Sequence, residues 1–287
     1  MLELNAGFPV PELPEVETVC RGLSQTLPGD RIKAVAVLRK ESIGYPSPEE
    51  FEASLPGHRF EKLARRGKYL LITLDKGAGL AVHLRMSGRL LLSDRARQAG
   101  SHLRVRISLD SGRELRFEDM RVFGRLWYVP PGSFFEEIVS GLADLGVEPL
   151  ENLSGRHLHQ SLGRRTQAIK SALLDQRVVA GLGNIYADES LFAARINPLR
   201  SAGDLTRREL DRLTRQIQAV LQRAIDLGGS TLRDYKDSRG VNGSYQEESF
   251  VYGRAGLPCL SCGGPISKLR LAGRSTHFCP RCQPERR

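Results

Sequence analysis

Leu103-Arg-Val-Arg-Ile-Ser-Leu109 alternates apolar and polar residues at every step, the period of a strand with one face in a core and the other toward water. Around it the segments 68–74, 79–85, 89–92 and 125–129 are short and rich in Val, Ile, Leu and Tyr. Turn chemistry separates them at Arg66-Gly67, Lys76-Gly77 and Asp110-Ser-Gly112. Residues 32–129 therefore read as an all-β sandwich or barrel. A helix over 14–27 precedes it, with Pro14 in the first turn, Glu15 and Glu17 near its positive end, and Val16, Val19, Leu23 and Leu27 at helical spacing. Cys20 lies in the same apolar stripe and reads as a small core residue.

Pro130-Pro131-Gly132 closes the β region and opens a linker over 131–147. Beyond it the period becomes helical, most clearly over 206–227. There Thr206 and Glu209 form a capping-box pair, and Leu210, Leu213, Ile217, Val220, Leu221 and Ile225 keep one face apolar until Gly228-Gly229. Shorter helical patterns occupy 168–175 and 185–194, joined by the glycine-bearing turn Val179-Ala-Gly-Leu-Gly-Asn184. The polar stretch 230–248 has no sustained period and reads as a mobile loop. The fold class expected is α+β in two domains.

Four of the five cysteines, Cys259, Cys262, Cys279 and Cys282, form two C-x-x-C pairs separated by sixteen residues. That spacing fits one tetrahedral zinc ion on a hairpin. Two disulfides are the alternative, disfavoured in a chain that carries no signal-like start. Four thiolates close the coordination shell, so the metal is structural and the chemistry lies elsewhere. The chain holds 43 Lys+Arg against 33 Asp+Glu, a net charge of +10, which favours a polyanionic partner. Residues 257–287 carry six Lys/Arg against one Glu, as a phosphate-contacting hairpin would. With 40% hydrophobic and 26% charged residues the composition excludes a disordered chain, and no apolar run approaches the ~20 residues of a transmembrane helix.

Five motifs carry the reading further: Pro11-Glu-Leu-Pro-Glu-Val-Glu-Thr18, His83-Leu-Arg-Met-Ser-Gly88, Asp119-Met-Arg-Val-Phe-Gly124, Gly183-Asn-Ile-Tyr-Ala-Asp-Glu189 and Gly273-Arg-Ser-Thr-His-Phe-Cys279. In this order, and ending in the zinc pattern, they resemble the bacterial formamidopyrimidine-DNA glycosylases over nearly the whole chain. The resemblance implies a catalytic β-sandwich domain with flanking helices over 11–130. It implies a helix-two-turn-helix domain with a lesion-capping loop over 148–248, and a zinc-finger β-hairpin over 249–287. It also implies a monomer acting in the cytoplasm, at the nucleoid and not at a membrane, on double-stranded DNA with oxidised purines or abasic sites. The cofactor implied is one structural zinc ion on Cys259, Cys262, Cys279 and Cys282.

Site residues follow by the same resemblance. Pro11 is the amine nucleophile and Glu12 its acid/base partner, with Lys68 and Arg274 completing the catalytic set. An α-amine has a pKa near ~7.7–8.0, so much of it is neutral and nucleophilic at cellular pH. Met86 and Phe123 are wedges that fill the stack after the damaged base leaves, and Arg121 contacts the widowed cytosine. Lys68, His83, Asn184 and Arg274 offer donors to phosphate, Asn184 from a helix entrance, and Lys170 joins the DNA-binding set. Glu15 and Glu189 support the lesion pocket, and residues 230–245 resemble the segment that closes over the everted base.

The sequence departs from the family at three places. Ten residues precede Pro11, and a proline inside a chain has an amide nitrogen with no usable lone pair. Val10 stands where the initiating methionine would be, so Met1 to Pro9 read as an extension ahead of a GTG start and residues 1–10 as a non-native extension of the mature chain, with proteolytic trimming or a catalytically silent member as rivals. Val122 occupies a place where arginine is common, and Arg85 one where glycine is common. Two competing functions remain at this level. One is an endonuclease VIII-type glycosylase for oxidised pyrimidines, which Leu13-Pro14-Glu15-Val16 and the long 230–248 loop disfavour. The other is a non-catalytic damaged-DNA-binding protein with a blocked Pro11.

Overall fold

The computed structural model describes residues 10–94, 100–230 and 243–285. The extension at 1–9 and most of the capping loop, 231–242, lie outside the described residues. The chain forms two compact units, one holding residues 15–143 with Pro11 and Ser230, the other holding 12–14, 144–229 and the chain from Ser244 onward. No helix among the described residues is long and apolar enough to cross a membrane.

The first unit is a sandwich of two sheets. One is four-stranded, in the order β1 (Ile32–Val37), β7 (Leu103–Leu109), β8 (Arg113–Asp119), β6 (Gly88–Asp94). The other is five-stranded, in the order β2 (Ile43–Tyr45), β9 (Arg125–Val129), β5 (Gly79–His83), β4 (Tyr69–Leu74), β3 (Phe60–Arg66). β7 keeps the alternation expected of it, with Leu103, Val105, Ile107 and Leu109 buried. Val105, Ile107 and Leu109 meet Leu70, Ile72, Leu80, Val82 and Leu126 of the second sheet in one core. Helix α1 (Leu13–Ser24) adds Val16, Val19, Cys20 and Leu23 to it, and α2 (Pro48–Ser54) adds Phe51. Ser47 and Glu50 build a reciprocal capping box at the start of α2.

The expected helix over 14–27 starts one residue earlier and ends at Ser24. The stretch read as a linker carries two short helices, α3 (Phe135–Ile138) and α4 (Ser140–Ala143), that belong to the sandwich unit. The tip of the Phe135 ring lies against Gly79, where a Cβ would come within 2.6 Å of it. A four-residue helix cannot display a 3.6-residue period, so neither was visible as a pattern.

The second unit packs α5 (Gly155–Leu162), α6 (Ile169–Leu173), α7 (Asn184–Ala193) and α8 (Arg207–Asp226) around one apolar core. Leu210, Leu213, Ile217, Leu221 and Ile225 of α8 are buried, and the Thr206–Glu209 capping box is present as the spacing predicts. Strands β10 (Ser267–Leu271) and β11 (Arg274–Phe278) form an antiparallel hairpin. Its two-residue turn places Ala272 at φ +46 and Gly273 at φ +80, the left-handed pair that matches the strands' twist.

Candidate functional site

At one edge of the sandwich unit three connections bring the expected residues together. Lys68 follows Gly67 in the two-residue turn between β3 and β4. His83 ends β5 opposite Tyr69, whose ring meets the imidazole edge-on at 4.5 Å between centroids. The His83 Nδ1 accepts the Arg85 backbone N–H at 2.9 Å, so the ring's own proton sits on Nε2, where it can be donated. Burial, then the charges of Arg85 and Lys68, hold His83 well below the usual imidazole range. It is a neutral donor, not a cation.

The loops 84–87 and 120–124 carry Met86, Arg121 and Phe123. Phe123 is 48% exposed and Met120 42%, while Met86 is half-buried. The Arg121 guanidinium lies 5.2 Å from the Phe123 ring centroid. Asp119, fully buried, ties both loops down. Its Oδ1 accepts from Ser87 Oγ and, at 3.1 Å, from the Arg121 N–H, while Oδ2 accepts from the Gly124 N–H at 2.7 Å. Asp119 stands in a quoted motif, yet its role was not legible there, because an acid beside two exposed loops looks the same whether it faces solvent or the loops' amides.

In the helical unit the chain at Glu12 docks on the glycine turn before α7. The Leu13 N–H donates to Gly181 O at 3.1 Å, and the Ile185 N–H donates to Glu12 Oε1 at 3.0 Å. The Glu12 carboxyl, 2% exposed, thus sits at the positive end of α7. Gly183 makes room for it, since a Cβ there would stand 2.2 Å from the Glu12 carboxyl carbon. Gly183 is the N-cap, and Asn184 is the first residue of the helix. The Asn184 side chain shares a hydrogen bond with the Tyr252 phenol, which burial pushes up. Its Oδ1 is buried with no partner among the described residues, a polar atom left for a ligand.

The remaining expected residues are placed differently from one another. Arg274 follows the hairpin turn and is exposed. Lys170 is 1% exposed. Its Nζ stands 2.7 Å from Asp188 Oδ1 and donates to Ser275 O at 2.6 Å and Thr276 Oγ1 at 3.0 Å. The ion pair with Asp188 and the two hydrogen bonds to β11 make it a clamp between β11 and α7. A basic residue in the first turn of a short helix gives no sign of which way it points, and Asp188, its partner, was missed. Glu189 accepts the N–H groups of Phe250, Val251 and Tyr252 at 2.8–2.9 Å, while burial pushes its carboxyl up. In the sandwich unit Glu15 accepts the Ser230 N–H at 2.8 Å. Both acids brace backbone.

The Sγ atoms of Cys259, Cys262, Cys279 and Cys282 lie within 4.8 Å of one another. The pairs Cys259–Cys282 and Cys262–Cys279 stand at 3.9 and 3.5 Å, close to the ~3.8 Å edge of a zinc–thiolate tetrahedron and far beyond disulfide length. Burial raises Cys259, but the backbone N–H groups of Ser261 and Cys262 outweigh it and bring the thiol down to about 7. Burial and the neighbouring thiols push Cys282 up to about 12. Four such groups ionise together only around a cation, and this set suits one structural zinc ion.

A β-sandwich with a basic and aromatic edge, and a helical unit closed by a four-thiolate hairpin, define a two-unit zinc-hairpin class. The chain matches the formamidopyrimidine-DNA glycosylase N-terminal domain over residues 10–126, the H2TH domain of the same enzymes over 145–236, and a zinc finger found in FPG and IleRS over 256–284. It is 52% identical over 277 residues to the formamidopyrimidine-DNA glycosylase of Gloeobacter violaceus, covering 96% of this chain and 98% of that one. To the enzyme of Pelotomaculum thermopropionicum it is 49% identical over 275 residues, 96% and 99% of the two chains. Among solved structures, the MutM (Fpg) protein of Thermus thermophilus aligns with a TM-score of 0.85 at 42% identity, over 96% of this chain and all of that one. A Lactococcus lactis Fpg variant in complex with Fapy-dG-containing DNA aligns at 0.88 and 35%, with the same coverage. The chain belongs to the formamidopyrimidine-DNA glycosylase family.

Proposed function

We propose that this chain is a bifunctional DNA glycosylase/AP lyase that excises oxidised purines, 8-oxoguanine opposite cytosine and formamidopyrimidines, and then cuts the strand. The observation that carries the reading is the match to formamidopyrimidine-DNA glycosylases at about half identity across 96% of the chain. The Pro11 amine adds to C1′ as the C1′–base bond breaks and the base leaves with the bonding pair. Glu12, its carboxyl fixed by the Ile185 N–H, handles the proton that opens the sugar ring. The resulting iminium acidifies C2′. Loss of a C2′ proton expels the 3′ phosphate, and a second elimination expels the 5′ phosphate.

This requires the Pro11 nitrogen to be a secondary amine, as in a mature chain that begins at Pro11, and the N-terminal domain match begins at residue 10. Met86 and Phe123 fill the vacated stack, and Arg121 reads the widowed cytosine. Lys68, His83, Asn184 and Arg274 hold phosphates, while Lys170 serves them through the hairpin it clamps. Glu15 and Glu189 shape the lesion pocket by bracing its backbone. The sandwich at 11–130 is the catalytic domain, 148–248 supplies the lesion cap, and the hairpin within 249–287 adds phosphate contacts. The protein acts as a monomer in the cytoplasm, at the nucleoid.

The test is base release from paired duplexes carrying 8-oxoguanine opposite cytosine or an oxidised pyrimidine. Preferential cleavage of the first supports the reading. Preference for the second assigns the chain to the endonuclease VIII type, and release from neither contradicts a glycosylase.

A further inference from the structure

The arginines around the exposed loops of the sandwich unit sort by partner. Arg125 donates to the carbonyls of Val122 and Gly124 at 3.0 and 2.8 Å, Arg104 to Asp119 O at 2.7 Å, and Arg89 pairs with Glu118 at 3.0 Å. Arg121 lies over Phe123. Arg85 is exposed, and its guanidinium has no acidic or carbonyl partner among the described residues. An exposed guanidinium with no acceptor among the described residues can take one from outside.

Arg85 sits between His83 and Met86 and holds a left-handed backbone, φ +55, that glycine would adopt at no cost. Its N–H donates to His83 Nδ1 at 2.9 Å, which leaves Nε2 as the protonated nitrogen. One residue thus sets the imidazole tautomer with its backbone and carries five guanidinium donors on its own exposed side chain. Its charge also acts on both groups of the pair, opposing the rise that burial gives Tyr69 and adding to the fall that burial gives His83. Val122 in the adjoining loop holds φ +57 and ends in an apolar side chain, so position 122 can offer an anion nothing but its backbone.

We infer that Arg85 and His83 Nε2 form a two-donor site for one DNA phosphate, in which Arg85 supplies the charge and fixes the tautomer of its neighbour. The inference rests on the DNA-repair reading above and adds a contact to it. Arg85→Gly is the informative variant. Glycine keeps the N–H on His83 and relaxes the backbone, so folding is not at risk and only the guanidinium is lost. Affinity for a duplex with a stable abasic analogue opposite cytosine is measured against salt for the wild-type chain, Arg85→Gly and Arg85→Lys.

The expected result is a several-fold loss for Arg85→Gly, equal across flanking sequences, with the log–log salt slope reduced by about 1 and the wild-type slope kept by Arg85→Lys. The thermal midpoint of Arg85→Gly is no lower than wild type. If wild type binds and Arg85→Gly binds with the same affinity and slope, the phosphate site is refuted while the repair reading stands. A loss confined to one flanking sequence refutes phosphate as the ligand in favour of a base edge. Failure of the wild-type chain to bind lesion duplexes overturns both.

Discussion

The Lys170 Nζ stands 2.7 Å from Asp188 Oδ1, with 1% and 0% of the two side chains exposed. This pair joins α6 and α7 to β11, because Lys170 also holds Ser275 and Thr276 and Asp188 Oδ2 takes the His277 N–H at 2.9 Å. Removing one partner of such a pair strands the other charge in the interior, at ~3–5 kcal/mol. Lys170→Ala and Asp188→Ala are each expected to lose that much in urea unfolding. The Lys170→Met/Asp188→Asn double variant should lose far less than the sum of its single substitutions. Additive losses would show that the pair is not coupled.

Acid should expose a second pair. Burial raises the Glu209 carboxyl, but the Arg200 guanidinium at 2.6 Å and the Thr206 donors outweigh it and hold it at about 2, against an ordinary 4.5. A depressed carboxylate stabilises the fold above its unfolded pKa, and that stability is lost as pH falls toward the folded value. The unfolding free-energy gap between wild type and Glu209→Gln should stay constant above pH ~5, on the order of 2–3 kcal/mol. It should shrink between about pH 4.5 and 2. A gap independent of pH down to 3 would place Glu209 outside the ion pair.

Gly183→Ala tests the seat of Glu12. The φ there is −130, which alanine tolerates, but the new Cβ would stand within 2.2–2.5 Å of the Glu12 carboxyl. We expect stability within ~1 kcal/mol of wild type and base-excision rates reduced about 10²-fold, the usual scale of a displaced acid/base group. Unchanged rates would mean that Glu12 does not work from this position.

Metal removal should act on binding and not on bond breaking. One zinc per chain is expected on release with a thiol reagent. Chelated protein should bind lesion duplexes more weakly, with a shallower salt slope, and recover on zinc addition. Equal affinity with and without zinc would detach the hairpin from DNA.

Much of this architecture was legible because its signals are periodic. Leu103–Leu109 and the α8 face repeat over enough residues to fix both period and inward side, and the C-x-x-C pairs encode a distance that four thiolates realise. Short elements were not legible. Neither α3 nor α4 completes two turns, β3 carries charged residues on both faces, and in β8 Glu114, Arg116 and Glu118, all on one face, are buried through their ion pairs. Site residues separated by the same logic. Pro11, His83 and Phe123 were singled out from contiguous motifs, whereas Asp119 and Asp188, though they stand in such motifs, and Tyr252 act by contacts that only the folded chain brings together.

The central claim is that the Pro11 nitrogen attacks the sugar. The most direct measurement is borohydride trapping on an 8-oxoguanine:cytosine duplex, with protein whose chain begins at Pro11, followed by peptide mapping of the adduct. A covalent adduct on Pro11 is predicted, absent when Pro11 is preceded by Val10. No adduct from folded, zinc-loaded, DNA-binding protein, or an adduct on a lysine, would contradict it.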